Sequence, residues 1–189
     1  MIVVTLSERL RRDTRTAHDA VDRAFSRFDV RTVAGLGGFL GAQREVAAML
    51  RDAMDPSDPL LDVLRPTLDD LDHDLAVLGH VRPAAPLAPP AAPGSDHPLA
   101  RSYVWLGSRL GMRMVARRWY RSADARVAAA GRSVARLQER SDWRPVSAAL
   151  DAMSGRGREA DAVTHAARDW FAILEQAAVA SRRRVEANV

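Results

Sequence analysis

The sequence predicts an all-α fold, a single helical domain over residues 1–189. Three observations predict it. Apolar residues recur at steps of three and four in segment after segment, no run alternates convincingly with period two, and one stretch breaks the pattern: 80–98, which holds six of the ten prolines. That stretch reads as an extended, partly polyproline crossing loop. The helices flanking it are too few for two separate cores, so it is a loop inside one helical bundle.

The first helix opens at Thr5-Leu6-Ser7-Glu8, a capping-box spacing in which Thr5 bonds the amide three residues on and Glu8 reaches back. Leu6, Leu10, Thr14, Ala17, Val21, Phe25 and Phe28 then line one face for roughly six turns, predicting one continuous amphipathic helix. A second begins near Thr32, with Val33, Leu36, Phe39, Leu40, Val46, Ala47 and Leu50 inward. Gly35, Gly37 and Gly38 weaken its first turns, which implies either a frayed start or close contact with another backbone. The third covers 58–78 on a leucine stripe, with Pro66 expected to kink it or start its second half and Gly79 its left-handed stop. Beyond the crossing, helical patterns cover 99–121, 123–139, 143–153 and 159–186, with Gly155-Arg156-Gly157 separating the last two.

Composition removes whole classes of chemistry. All 28 basic residues are arginine, and there is no cysteine. Disulfides, iron–sulfur ligation, thiolate haem and cysteine zinc sites are excluded, as are Schiff-base lysines and a P-loop lysine. The 24 acids leave a net charge of +4, and they are interleaved with arginine along most helices, which argues against a phosphate-binding face. The run Arg182-Arg183-Arg184 complements a helix C-terminus. A ferritin-like di-metal centre needs Glu-x-x-His pairs, and none occurs. No segment has the length of a membrane span and no leader peptide is recognisable, so the expected location is cytoplasmic.

Two places carry candidate chemistry. His18 lies at the edge of the first helix's apolar stripe, about 70° from its centre, with Asp22 one turn later. A neutral imidazole held by a carboxylate suits an axial metal ligand, since the acceptor fixes the tautomer and strengthens the donor. A boundary histidine making an ordinary i to i+4 bond has the same spacing. The second place is Gly107-Ser108-Arg109-Leu110-Gly111, where two glycines inside a helix cost roughly 1 kcal/mol each relative to alanine. Either another helix packs tightly there or a flat ligand lies on the backbone. Arg109, Arg113, Arg117 and Arg118 read as mostly a solvated face.

Together these residues resemble the haem oxygenase family, in particular the bacterial branch associated with bacteriophytochromes. Leu10-Arg11, Thr14, His18 and Asp22 are similar to that family's proximal-helix pattern, and Tyr103 to Gly111 to its distal-helix motif. Asp74-Leu75, Leu78-Gly79 and Trp170-Phe171 also fit, so the resemblance spans nearly the whole chain in order. It implies haem, as substrate and cofactor, sandwiched between the first helix and the glycine-bearing one. His18 would be the iron ligand and Asp22 its orienting acceptor. Gly107 and Gly111 would admit the porphyrin, Ser108 would stand where other branches have an aspartate, and Tyr103 would belong to the cofactor-binding set. Arg11, Arg140 and Arg144 match basic positions that hold propionates, which a guanidinium does through two parallel hydrogen bonds.

The implied reaction converts haem, dioxygen and external electrons to biliverdin, ferrous iron and carbon monoxide. A ferredoxin or reductase would be the donor and a bacteriophytochrome the consumer of biliverdin. Met112 replaces a second family glycine, and Trp105 is bulkier than the usual residue. Both are expected near the haem edge, where they would bear on which meso carbon is cut. They also motivate an alternative, a haem-binding carrier or sensor that has lost catalysis. His73, His80, His97 and His165 read as surface or boundary residues.

Overall fold

The computed structural model describes residues 4–79, 95–136 and 143–187. Among these no β-strand occurs, and the all-α expectation holds for one packed body of helices. The Pro-rich loop, apart from 95–98, and Arg140 lie outside the described residues.

The expected first helix is two segments, α1 (Leu6–Asp13) and α2 (Arg15–Ser26), meeting at Thr14. The capping box is present as read, Glu8 N donating to Thr5 Oγ1 at 3.2 Å and Thr5 N to Glu8 Oε2 at 2.9 Å. Thr14 departs from helical geometry at φ −105°, ψ 1° because its hydroxyl donates to the Leu10 carbonyl (2.7 Å), a back-bond that bends helices. Its backbone bonds to Leu10 and His18 are kept, so the stripe stays on one side. Ahead of α1, Thr5 pairs with Ser154 in an isolated antiparallel bridge. Leu6 N donates to Met153 O (2.9 Å) and Gly155 N to Val4 O (2.8 Å).

α3 (Val33–Asp52) is capped by Thr32 and does not fray. Close approach explains its glycines: a Cβ on Gly35 would lie 2.1 Å from the Asp29 carbonyl oxygen, and one on Gly38 2.8 Å from the Phe28 ring. α4 (Leu60–Val77) carries Pro66 in its interior and stops at Gly79, φ +77°. The expected helix over 99–121 is instead α5 (Pro98–Ser108), a 3₁₀ turn (Arg109–Gly111) and α6 (Met112–Trp119). Two poor helix formers, Gly107 and Gly111, flank the tightened turn, which is where a helix gives way most cheaply. Likewise 123–139 resolves into α7 (Ala125–Ala129) and α8 (Arg132–Arg136). Gly131 parts them, since the Trp119 ring would sit 2.7 Å from a Cβ there. The α8 start is held from outside, Ser133 N and Oγ donating to buried Asp74 at 2.8 and 2.6 Å.

α9 (Trp143–Ala152) and α10 (Arg158–Ala187) complete the chain. At 30 residues, α10 is about 45 Å long and packs against α1, α2, α3 and α5, while α9 leans on α1 and α5. Leu6, Leu10, Leu36, Leu40, Leu71, Trp105, Trp170 and Leu174 are fully buried in the resulting core.

The return from the crossing loop is anchored by a buried polar cluster that the sequence did not announce. Ser95 N and Oγ donate to Asp169 (2.8 and 2.9 Å), and Trp170 Nε1 donates to Asp96 (2.9 Å). Arg101 bonds Asp96 and, at 2.9 Å, Asp58; the Arg101 and Asp58 side chains are only 6% and 9% exposed. His97 takes a structural role as the α5 cap, its Nδ1 accepting from Leu99 N at 3.2 Å.

Candidate functional site

Five helices line a cleft of about 460 Å³. α1 and α2 contribute Ser7, Arg11, Thr14, Arg15 and His18, a run at steps of three and four that keeps them on one face. α5 contributes Tyr103 and Gly107, α9 contributes Trp143 and Ser147, each pair one turn apart, and α10 contributes Phe171. Helix periodicity on three separate elements therefore converges on one cavity.

His18 is not a core histidine. Its side chain is 45% exposed, with Nδ1 3.3 Å from Asp22 Oδ2 and its ring edge-on to Phe171, centroids 5.7 Å apart at 74°. With Nδ1 turned to the carboxylate, Nε2 is the nitrogen left to act as a donor atom toward a ligand. The opposite wall is aromatic. Tyr103 packs on Phe171 (6.2 Å, 89°) and Trp143 (6.2 Å, 45°). The Trp143 ring lies over Gly107, 3.7 Å from where a Cβ would be. Gly107 thus opens toward an aromatic cleft, and its missing side chain is not filled by a packed helix backbone.

The electrostatics of the α1–α2 face are uneven for a local reason. Asp13 takes Arg12 (2.7 Å) and Arg9 (3.3 Å), and Arg9 also bonds Asp161 (2.6 Å) and the Gly155 carbonyl. The Arg12 hydrogen bond, helped by that from Arg9, holds the Asp13 carboxyl below its ordinary range against a burial effect that raises it. The guanidiniums turned away from the cleft are thereby neutralised. Arg11 and Arg15, which line it, have no carboxylate partner among the described residues.

Of the residues singled out from sequence, Arg11, His18, Tyr103 and Gly107 meet in the cleft, with Asp22 behind His18. Ser108 and Gly111 do not line it. The Ser108 hydroxyl donates to the Trp105 carbonyl (2.8 Å), and Gly111 ends the 3₁₀ turn exposed, with open space around it. Ser108, the last residue of α5, follows Gly107 by one position and so lies about 100° round the helix, while Gly111 sits beyond α5 in the 3₁₀ turn. Arg144 is exposed beside Trp143 and is not a lining residue. Trp105 and Met112, expected at the haem edge, are buried in the core. Arg109, expected in solvent, is buried and donates to the Arg136 carbonyl at 2.6 Å.

Ser7, Thr14, Arg15, Trp143, Ser147 and Phe171 complete the cleft without having been identified as site residues. Arg15 had a signal, one turn from Arg11 and three residues before His18. Trp143 and Phe171 read as ordinary apolar stripe positions. No cluster of three or more His, Asp or Glu able to hold a metal ion occurs among the described residues. No helix among the described residues is long and apolar enough to cross a membrane. Compared with known proteins, the chain matches no family model and no curated protein.

Proposed function

We propose that this chain is a haem oxygenase, which cleaves haem to biliverdin, ferrous iron and carbon monoxide with dioxygen and external electrons. The single observation that carries the reading is the cleft itself. His18, oriented by Asp22, faces a cavity that also holds Gly107, three aromatic rings and two arginines with no carboxylate partner among the described residues. That donor set fits haem: one imidazole nitrogen for iron, π-faces and edges for the macrocycle, and guanidiniums for two propionates. Bound haem would supply both the iron that activates dioxygen and the ring to be opened.

The chain's own residues have separable tasks. Asp22 holds the Nδ1 side of His18, so the imidazole presents Nε2 rather than a proton. Arg11 and Arg15 would pair with the carboxylates of the bound group. Gly107 lets the α5 backbone come close, and Trp143, Tyr103 and Phe171 exclude water from the faces they cover. Arg144, exposed at the rim, is a further cation for a propionate, and Arg140 retains that role on the resemblance alone. The proposed setting is the cytoplasm, with biliverdin passed to a bacteriophytochrome and electrons received from a ferredoxin or reductase.

One observation favours a second reading, a haem carrier or sensor without catalysis. The Ser108 hydroxyl is bonded to its own helix, so the distal wall offers no free acid or hydroxyl at that position. The test separates the two. Hemin added to the purified protein should give a Soret band that is lost in His18→Ala and restored by added imidazole, and ascorbate in air should convert it to biliverdin. Stable haem through that treatment would leave the carrier reading, and no hemin complex at micromolar concentration would overturn both.

A further inference from the structure

The interleaving of acid with arginine that holds along most helices fails in one stretch. Residues 97–136 carry nine arginines against one carboxylate, Asp124. Several of those arginines are bonded within the fold: Arg101 to Asp58 and Asp96, Arg136 to Asp70, Arg109 to the Arg136 carbonyl and Arg118 to the Phe28 carbonyl. Arg113, Arg117 and Arg121, by contrast, are exposed and have no carboxylate partner among the described residues. Four apart on α6 and the turn after it, they stand about 6 Å from one another along the axis. Tyr120 N still donates to the Ala116 carbonyl (2.9 Å), so the helical register reaches the tyrosine. At 100° per residue Tyr120 falls about 20° from Arg113, and Met114 about 20° from Arg121, all within an arc of about 120°. Tyr120 is 74% exposed and Met114 63%, which makes an open aromatic ring part of a row of cations.

The support beneath this face is rigid. Met112 and Ala116 are buried, Trp119 Nε1 donates to the Val127 carbonyl (2.7 Å) and Ser122 Oγ to the Arg31 carbonyl (2.7 Å). The Trp119 ring meets the Tyr120 ring at 4.6 Å and 60°, which holds the phenol in place. Cations that track a phosphate backbone, with an aromatic ring on which a base can stack, are what a single-stranded nucleic acid needs. Arginine suits both tasks, since its guanidinium pairs with phosphate and also stacks. A duplex has no open base face for the tyrosine, because its bases already stack on one another. The length agrees as well: Arg113 to Arg121 spans about 12 Å, three or four nucleotides at about 3.4 Å per strand. A membrane surface would call for a broad outward apolar face, and here the apolar side of α6 is turned into the core. A specific protein partner covers about 800 Å², several times what a stripe of about 12 by 10 Å offers.

We propose that the outer face of α6 binds single-stranded nucleic acid, with Arg113, Arg117 and Arg121 pairing with phosphates and Tyr120 stacking on a base. None of these residues lines the cleft, and the proposal stands independently of the haem reading. The test is fluorescence anisotropy of a labelled oligothymidylate of about 12 nucleotides, titrated with the full chain. Binding is expected at about 1–100 µM in low salt. With three phosphates neutralised, log K should fall against log[NaCl] with a slope of about −2, and Arg117→Gln should reduce that slope to about −1.4. R113Q/R117Q/R121Q should abolish binding. Tyr120→Ala should weaken it at least fivefold, while Tyr120→Phe, which keeps the ring, should bind like the wild type. A duplex of the same length, held by charge alone, should be indifferent to Tyr120→Ala. No binding by the wild type at low salt would overturn the proposal. So would single-strand binding that ignores Tyr120→Ala, or a salt slope that Arg117→Gln leaves unchanged. Capture of anionic lipid vesicles or of polyglutamate through these same arginines, with oligothymidylate ignored, would overturn it in favour of another polyanion.

Discussion

Replacing Arg101 with methionine tests the buried anchor at the foot of α5. In the native fold the guanidinium sits between Asp58, whose side chain is 9% exposed, and the more open Asp96, which also accepts from Trp170. Arg101→Met leaves Asp96 its indole donor and some water but strands the Asp58 carboxylate. Breaking a buried pair from one side costs about 3–5 kcal/mol, chiefly the uncompensated charge. At about 2–4 °C per kcal/mol for a chain of this size, Tm should fall by roughly 6–20 °C. Asp58→Asn is expected to cost less, about 1–2 kcal/mol, because Oδ1 still accepts from Leu60 N, at 3.0 Å in the native fold, and Arg101 keeps Asp96. The double variant should recover about 1–2 kcal/mol relative to Arg101→Met, since the stranded charge is gone. Urea unfolding followed by circular dichroism, with all three proteins compared at constant m, measures this. A loss below about 1 kcal/mol for Arg101→Met, or strict additivity in the double variant, would refute the reasoning.

Gly35→Ala should destabilise by about 3 kcal/mol, because its Cβ would meet the Asp29 carbonyl at 2.1 Å, backbone that has nowhere to move. Gly41→Ala, where the nearest atom is Ser181 Oγ at 3.7 Å, should be neutral or slightly stabilising in the same denaturation assay. Asp29 is held down to about 2 by the bidentate Arg31 pair, so its contribution is present above the ordinary carboxylate range and lost as pH falls from about 4 toward 2. Both groups are largely exposed, so the Asp29→Asn variant should lose less than about 1 kcal/mol at pH 7 and show a flatter acid limb in a pH-stability titration. Gly107→Leu should leave helicity and Tm nearly intact, the first added carbon meeting Trp143 at an ordinary 3.7 Å, while filling the cleft and weakening hemin binding in a Soret titration by tenfold or so.

The regular parts of the fold were legible because local chemistry decided them. The Thr5–Glu8 capping box, the leucine stripe of α4 and the left-handed stop at Gly79 depend on residues within a few positions of each other. The breaks were not legible, because distant atoms cause them. Gly131 is required by the Trp119 ring, and the α8 start is held by Asp74. The site divides in the same way. His18, Asp22, Arg11 and Gly107 stood out by residue type in a helical register, and the cleft holds the first, third and fourth. Arg15, Trp143 and Phe171 did not, since an arginine among 28 and an aromatic on an apolar stripe carry no label until five helices converge. Arg101 was hidden for the opposite reason: a charge looks like solvent-facing surface until its partners, 5 and 43 residues away, are seen.

The bridge from Thr5 to Ser154 gives the two walls of the cleft a common fulcrum. α1 leaves that point and α9 arrives at it, so both are pinned at the end where Leu6 N meets the Met153 carbonyl. Trp143 lies at the far end of α9, ten residues before Met153, and His18 lies beyond Thr14 on the other arm. A small swing about the pinned end moves the tips most, and the tips carry the imidazole and the indole. Any motion of the two arms would therefore widen the cleft most between Trp143 and His18 and least at the bridge.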